Sequence, residues 1–215
     1  MKRILSALAL LFLFAGRLSA EELVVELRFE PSAGVVPAEK LLSSVKKFKG
    51  VRIHPFTDKR SVGETYLGQL KLNGQTQTVL SKKALTGFAT DAFTQVYGEW
   101  GGNISTDGPL GLKGEITQFE FEANGTYQAK IGIHFFLLDE RGRILWDGHS
   151  SGVVRGAGKT IGVENLSALY SDVLRATFYE LMEDEKLVNV WSGRVSNTYL
   201  LKDDEPATAA ANSGR

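Results

Sequence analysis

Apolar and polar residues alternate most regularly in the middle of the chain. Tyr127, Ala129, Ile131, Ile133, Phe135 and Leu137 share one parity, whereas Gln128, Lys130 and His134 share the other. A period of two predicts a strand with one buried and one wetter face. Asp139–Gly142 then predicts a turn into a second strand at 144–154. A preceding strand at 112–121 changes parity at Thr117–Gln118, where we predict a β-bulge.

Two other stretches repeat apolar residues every three or four positions, which predicts amphipathic helices. The first runs from Leu85 to Trp100, with Ser81 as the expected N-cap and Gly101–Gly102 as the stop signal. The second runs from Val163 to Met182 and ends in three acidic residues.

Shorter strands complete the prediction. They are expected at Val24–Phe29 and Val51–Phe56, and Asn73–Gly74 predicts a tight hairpin between 70–72 and 76–80. Two helices packed on one face of a mostly antiparallel sheet would bury every apolar stripe. The sequence therefore predicts an α+β fold, specifically a two-layer sandwich.

The first twenty residues have the pattern of a secretory signal peptide. Lys2 and Arg3 precede an apolar run from Ile4 to Ala15, and small residues precede Glu21. The run is shorter than the roughly 20 residues that span a bilayer, which disfavours the alternative of a membrane anchor. We expect cleavage after Ala20 and a periplasmic product. Because the chain has no cysteine, we expect neither a lipid anchor nor disulfides.

The remainder predicts a single domain at 21–202 and a disordered polar tail at 203–215. Basic and acidic residues both number 25 in the full chain, and loss of the leader removes three basic ones. The small acidic excess that results does not favour binding to nucleic acid, which needs a basic surplus.

No catalytic constellation emerges from the motifs. Gly158–Thr160 resembles the end of a phosphate-binding loop, but Val153 stands where that loop requires glycine. Acidic residues at 120, 122, 139, 140 and 147 are candidates for an acid/base pair, but none has a second carboxylate at a predictable separation. Those at 120, 122, 139 and 140 are more simply read as solvated strand and turn positions. Strand alternation points His149 and Ser150 to opposite faces, which disfavours a serine nucleophile. We therefore predict that the protein is not an enzyme and uses no cofactor.

Linear spacing also disfavours a metal site. His54, His134 and His149 are the only histidines, and none has a second histidine three to five residues away.

Trp146 and Trp191 are the candidate partner-binding residues. Trp146 follows a turn, and Trp191 follows the last predicted helix. Each could be an exposed aromatic anchor or a core residue, and the sequence leaves both alternatives open.

The stretch Val51–Arg60, with its Asp-x-Arg-like turn, resembles the YajG-type lipoproteins of Gram-negative envelopes. A helix at 85–100, a strand beginning Leu112-Lys113-Gly114-Glu115, a long strand from Tyr127 and a final helix follow in the same order, so the resemblance covers roughly 51–187. It implies a binding or assembly component related to auxiliary lipoproteins of lipid transport and outer-membrane assembly. The lipidated cysteine of that group is missing here.

We therefore predict a non-enzymatic periplasmic protein that binds another envelope component, either a protein or a lipid-transport or assembly complex. The alternative is a carrier that holds a lipid or other apolar ligand between sheet and helices. An exposed aromatic patch or an open sheet edge would favour the first function, and an apolar pocket between the layers would favour the second.

Overall fold

The structure is a computed structural model that describes residues 22–31, 38–72, 75–123, 126–157 and 162–194. The leader at 1–20, its cleavage site and the tail at 203–215 lie outside the described residues, as do the turns Asn73–Gly74 and Asn124–Gly125 and the loop Gly158–Thr160.

The described residues form eight strands and four helices. The strands are β1 Glu22–Val25, β2 Val51–Ile53, β3 Thr57–Asp58, β4 Tyr66–Leu72, β5 Gln75–Ser81, β6 Leu110–Ala123, β7 Thr126–Leu138 and β8 Ile144–Ala157. The helices are α1 Glu39–Val45, α2 Leu85–Glu99, α3 Leu166–Glu183 and α4 Glu185–Trp191, with a short 3₁₀ turn at Val163–Asn165. No helix within these ranges combines the length and apolarity needed to cross a bilayer.

All eight strands belong to one mixed sheet, so the predicted α+β class is confirmed. Its main path runs β1-β5-β4-β6-β7-β8. The hairpins β4–β5, β6–β7 and β7–β8 are antiparallel, as predicted. However, β1 pairs parallel with β5, and β2, β3 and β4 pair parallel with β6. Antiparallel residue pairs, supplied by the three hairpins, therefore predominate in the sheet as predicted, and the four parallel pairings were not predicted.

The core forms where α2 and α3 meet the same side chains of β6 and β7. Phe93 of α2 lies 4.9 Å from Phe178 of α3 and 6.1 Å from Phe135 of β7, measured between ring centroids. On β6, Phe119 stacks on Tyr170 at 4.8 Å. These rings are buried, and each buried aromatic contributes roughly 1.5–3 kcal/mol. One aromatic cluster thus holds both long helices against the sheet.

Several boundaries differ from the prediction for local reasons. The helix α2 begins at Leu85 as expected, but its N-cap is Ala84, because Ser81 is the last residue of β5. The strand predicted at 24–29 ends at Val25. The segment after it lies along α3, where the amides of Arg28 and Glu30 donate to the hydroxyls of Ser167 and Ser171.

Candidate functional site

The three long strands present a second surface, which we call the outer face. It consists of the side chains at alternate positions of β6, β7 and β8, on the side of the sheet opposite the helices. Its members are Lys113, Glu115, Gln118, Glu120, Glu122, Gln128, Lys130, His134, Phe136, Asp147, His149, Ser151, Val153 and Arg155. The alternation of β7 that the sequence predicted is the cause, because a pleated strand turns successive side chains to opposite faces.

A histidine pair lies at the centre of the outer face. His134 and His149 are directly opposite each other on β7 and β8, and their rings stack at 4.1 Å with an interplanar angle of 16°. His134 Nε2 lies 3.0 Å from Asp147 Oδ2, and the ring of Phe136 is 4.2 Å from that of His134. Linear spacing missed this pair because the turn at Asp139–Gly142 brings together residues fifteen positions apart.

The third histidine lies at one end of the same face. A Cβ atom on Gly111 would come within 2.7 Å of His54 Nε2, so His54 lies directly over that glycine. Burial of the ring, followed by the charges of Arg52 and Lys113, lowers the pKa of His54. This side chain is therefore neutral at pH 7. Across the described residues, no group of three or more His, Cys, Asp or Glu side chains is already arranged around a metal position.

The outer face ends at an open edge, which we define as the side of β8 that no described strand pairs. The backbone amide of Ser151 donates to the carboxylate of Glu180 on α3, so it points away from β7. Because outward and inward amides alternate along an antiparallel strand, those of His149, Val153 and Arg155 also point outward. Glu180 is the only side chain of the described residues that bonds an outward amide of β8.

Small residues allow α3 to approach β8 closely at one place along this edge. On the inner side of β8, a Cβ atom on Gly152 would overlap the carbonyl of Val173 and lie 2.5 Å from Thr177 Oγ1. Ser150 Oγ donates to the Thr177 carbonyl at 2.5 Å. The helix therefore crosses β8 at 150–152. Beyond that crossing Val153 is 47% exposed, and Arg155 is also exposed.

The two tryptophans named from the sequence occupy different environments. Trp191 is fully buried in α4: it stacks on Phe48 at 4.9 Å and on Tyr97 at 5.3 Å, and its indole donates to the Lys49 carbonyl. Its side chain is not exposed to a partner. Of the two alternatives that the sequence leaves open, Trp191 is therefore the core residue and not the exposed anchor. Trp146 is half-buried and covers Gly148 on the inner side of β8, so it lies beside the open edge and outside the outer face.

The Asp-x-Arg turn forms a buried structural clip. Asp58 and Arg60 have only 4% of their side chains exposed and form an ion pair at 2.6 Å. Arg60 Nη1 also donates to the carbonyls of Tyr66 and Phe119, which joins β3, β4 and β6. Burial raises the pKa of Asp58, but the hydrogen bonds and charge of Arg60 outweigh it and lower the pKa below its ordinary value.

The other polar candidates also have structural contacts. Asp139 Oδ1 accepts the amides of Arg141 and Arg143 within the β7–β8 turn, each at 2.9 Å. These bonds, that of Arg143 first, lower the pKa of Asp139. His149 is exposed and Ser150 is buried, so the predicted separation of the two side chains is confirmed and they form no dyad.

Two surface clefts lie outside the contact between sheet and helices. The first, of about 570 Å³, separates α1 from the ends of α3 and α4 and is lined by Leu41, Tyr179 and Met182 together with charged side chains such as Lys40 and Glu183. The second, of about 700 Å³, lies at the end of the sheet beside the β7–β8 turn. Aromatic rings occupy the space between sheet and helices in which a carrier would hold its apolar ligand.

Comparison with known proteins identifies a shared fold. No protein-family model matches the chain, and no curated protein matches it. A Xanthomonas campestris protein of the DUF330 family matches in structure with a TM-score of 0.53 and 12% identity, over 80% of this chain and 98% of that chain. At this identity the match shows the fold alone.

Two weaker structural matches carry no argument about this chain. A PelC dodecamer from Paraburkholderia phytofirmans matches with a TM-score of 0.38 and 11% identity, over 65% of this chain and 90% of that chain. A minor lipoprotein from Acinetobacter baumannii matches with a TM-score of 0.36 and 12% identity, over 68% and 95%. None of these comparisons names the YajG-type group, so that resemblance stays a prediction.

Proposed function

We propose that this chain is a non-enzymatic component of a bacterial envelope that binds an extended segment of a partner protein along the open edge of β8. The single observation that carries the proposal is the row of outward amides at His149, Val153 and Arg155, beside which the described residues place neither a strand nor a side-chain acceptor.

An extended peptide suits this edge because its backbone supplies the complementary donors and acceptors. Addition of a strand to a sheet edge takes affinity from main-chain hydrogen bonds and specificity from alternate side chains. Here the alternate side chains would be those of His149, Ser151, Val153 and Arg155 on the outer face. Val153 and Ile144, both on β8, are among the few large apolar side chains that are exposed in the described residues.

The absence of the usual edge protection within β8 supports the same function. Proteins protect edge strands with proline, with lysine, with bulges or with a covering element. The strand β8 contains neither proline nor lysine, and its register shift lies near Leu145, at the far end from Val153. The helix α3 covers only the middle through Glu180. The stretch 153–157 is thus the part that remains available for pairing.

The envelope location is a separate part of the proposal and depends on the signal-peptide pattern at 1–20. Fractionation followed by N-terminal sequencing tests it. We expect a periplasmic protein that begins at Glu21, and a product retained in the inner membrane with Met1 intact would contradict it.

Position-specific photocrosslinking in living cells tests the edge itself. A photoreactive residue at Val153 should give a discrete crosslinked protein, whereas the same residue at the exposed outer-face position Lys113 should not. Arg155→Pro in the Val153-labelled protein removes one outward amide and should abolish the product, because proline cannot donate.

Arg155→Ala is the matched control, since it removes the side chain and keeps the amide. It should retain the crosslinked product. Equal crosslinking from both positions, or a product that survives Arg155→Pro in a folded protein, would contradict docking at this edge.

A further inference from the structure

We propose that His134, His149 and Asp147 form a binding site for one divalent transition-metal ion of the zinc class on the outer face. The three side chains belong to the centre of the β7–β8 hairpin, and an ion held by them would need none of the backbone amides that the proposed docking of a strand uses.

The distance between His134 and Asp147 matches the spacing of two ligands on one ion. Zinc binds imidazole nitrogen at about 2.0–2.1 Å and carboxylate oxygen at about 2.0–2.2 Å, so two ligands at 90–110° are about 3.0–3.4 Å apart. His134 Nε2 and Asp147 Oδ2 are 3.0 Å apart. An ion can therefore replace the hydrogen bond between these atoms without a shift of the backbone.

His149 supplies the third ligand after a change of side-chain rotamer. It is directly opposite His134 in the ladder, and the two rings are stacked at 4.1 Å. In this stacked arrangement the two rings do not converge on a point, which agrees with the absence of a ready-made three-ligand group among the described residues. The ring of His149 is exposed, so rotation about its side-chain torsions meets little resistance.

The surroundings favour a cation at this place. Phe136 packs against the His134 ring at 4.2 Å and limits its motion. Glu115 is directly opposite His134 on β6 and adds negative charge, although Lys59 lies 3.8 Å from its carboxylate. Asp147 is 57% exposed and His134 is 23% exposed, which leaves room for water to complete the coordination. Two imidazoles and a carboxylate suit zinc and its neighbours better than magnesium or calcium.

Calorimetric titration of the purified protein with Zn²⁺ tests the proposal. We expect saturable binding of one ion below about 1 mM. His149→Asn should weaken it at least about tenfold, because the loss of even an outer-shell partner of a ligand has that effect, and should reduce the rise in melting temperature that added Zn²⁺ causes in the parent protein.

His54→Asn is the matched control, because His54 lies at the same face but away from the cluster. It should bind Zn²⁺ with the parent affinity. No saturable binding, unchanged affinity in a folded His149→Asn protein, or an equal loss in His54→Asn would each overturn the site.

Discussion

The two faces of β7 lie in opposite environments, although their residues alternate along one strand. On the inner face Ile131, Ile133 and Phe135 are completely buried and contribute to the aromatic cluster with α2 and α3. On the outer face Lys130 and His134 keep contact with solvent. Burial on one face supplies stability, whereas the other face retains ionisable groups in contact with solvent.

The difference between the two faces explains why one fold is compatible with different functions. Apolar packing constrains the inner residues of β6, β7 and β8, and it allows many side chains on the outer face. The DUF330 protein from Xanthomonas campestris shares this fold at only 12% identity. The shared fold therefore leaves the side chains of the outer face and of the open edge unspecified.

The largest expected effect on stability follows from a change in the packing on the inner face. Phe93 is buried against Phe56, Phe135 and Phe178, so Phe93→Ala should lower the free energy of unfolding by about 3–5 kcal/mol. Gln95→Ala, at an exposed position of the same helix, should change it by less than about 0.5 kcal/mol. Urea melts measure both, and equal midpoints would mean that α2 does not pack as described.

A nearly equal loss of stability is expected when the buried ion pair of Asp58 and Arg60, on the inner side of the sheet, is broken. Asp58→Asn leaves Arg60 without its ion-pair partner and should cost about 3 kcal/mol at pH 7. Because the pKa of Asp58 is lowered on folding, the folded protein binds fewer protons than the unfolded chain in acid. The stabilisation is present above the ordinary pKa of about 3.9 and is lost as the pH falls below it.

Unfolding of the parent and Asp58→Asn proteins between about pH 7 and pH 3 measures this dependence. The stability difference should narrow below about pH 4. Parallel curves over the whole range would show that the clip contributes nothing through its charge.

An intermediate effect is expected where α3 crosses β8. Gly152→Ala places a Cβ against the Val173 carbonyl and Thr177, and overpacking of this kind costs about 1–3 kcal/mol. Ser151→Ala, one residue away on the outer face, should change the free energy of unfolding by less than about 0.5 kcal/mol. Thermal melts of the two variants compare their losses of stability. Equal losses would mean that α3 does not cross β8 at Gly152.

The smallest effect is expected on the outer face. His134→Ala and His149→Ala remove solvent-accessible side chains, so each should change the free energy of unfolding in metal-free buffer by less than about 1 kcal/mol. A larger loss in denaturant melts would mean that the histidine stack is part of the stabilising core, and the distinction between the two faces would fail.

The sequence predicted what depends on local pattern. The alternation of β7, the bulge at Thr117–Gln118 and the start of α2 at Leu85 are confirmed. The helices α1 and α4 were missed because each has seven residues and only two buried side chains, too few for a periodic stripe.

Pairings and contacts between residues distant in sequence could not be predicted from the local pattern. The parallel pairing of β2, β3 and β4 along one edge of β6 depends on crossovers that no local signal specifies. The histidine pair was missed for a related reason. Counting outward from Leu138 and Ile144, the pair next to the predicted turn, would place His134 opposite Gly148, and only the register shift near Leu145 brings it opposite His149. The burial of Trp191 depends on Phe48 and Tyr97, which are distant in sequence.

Amide hydrogen exchange of the isolated protein, resolved residue by residue by NMR, tests most directly whether the edge of β8 is open. The amides of Gly152 and Val154 point towards β7 and should be strongly protected. Those of Val153 and Arg155 point outward and should exchange at least about a hundredfold faster, because no strand or side chain of the described residues accepts a hydrogen bond from them. Comparable protection of Val153 and Val154 would show that this edge is already covered, and the proposed docking surface would be contradicted.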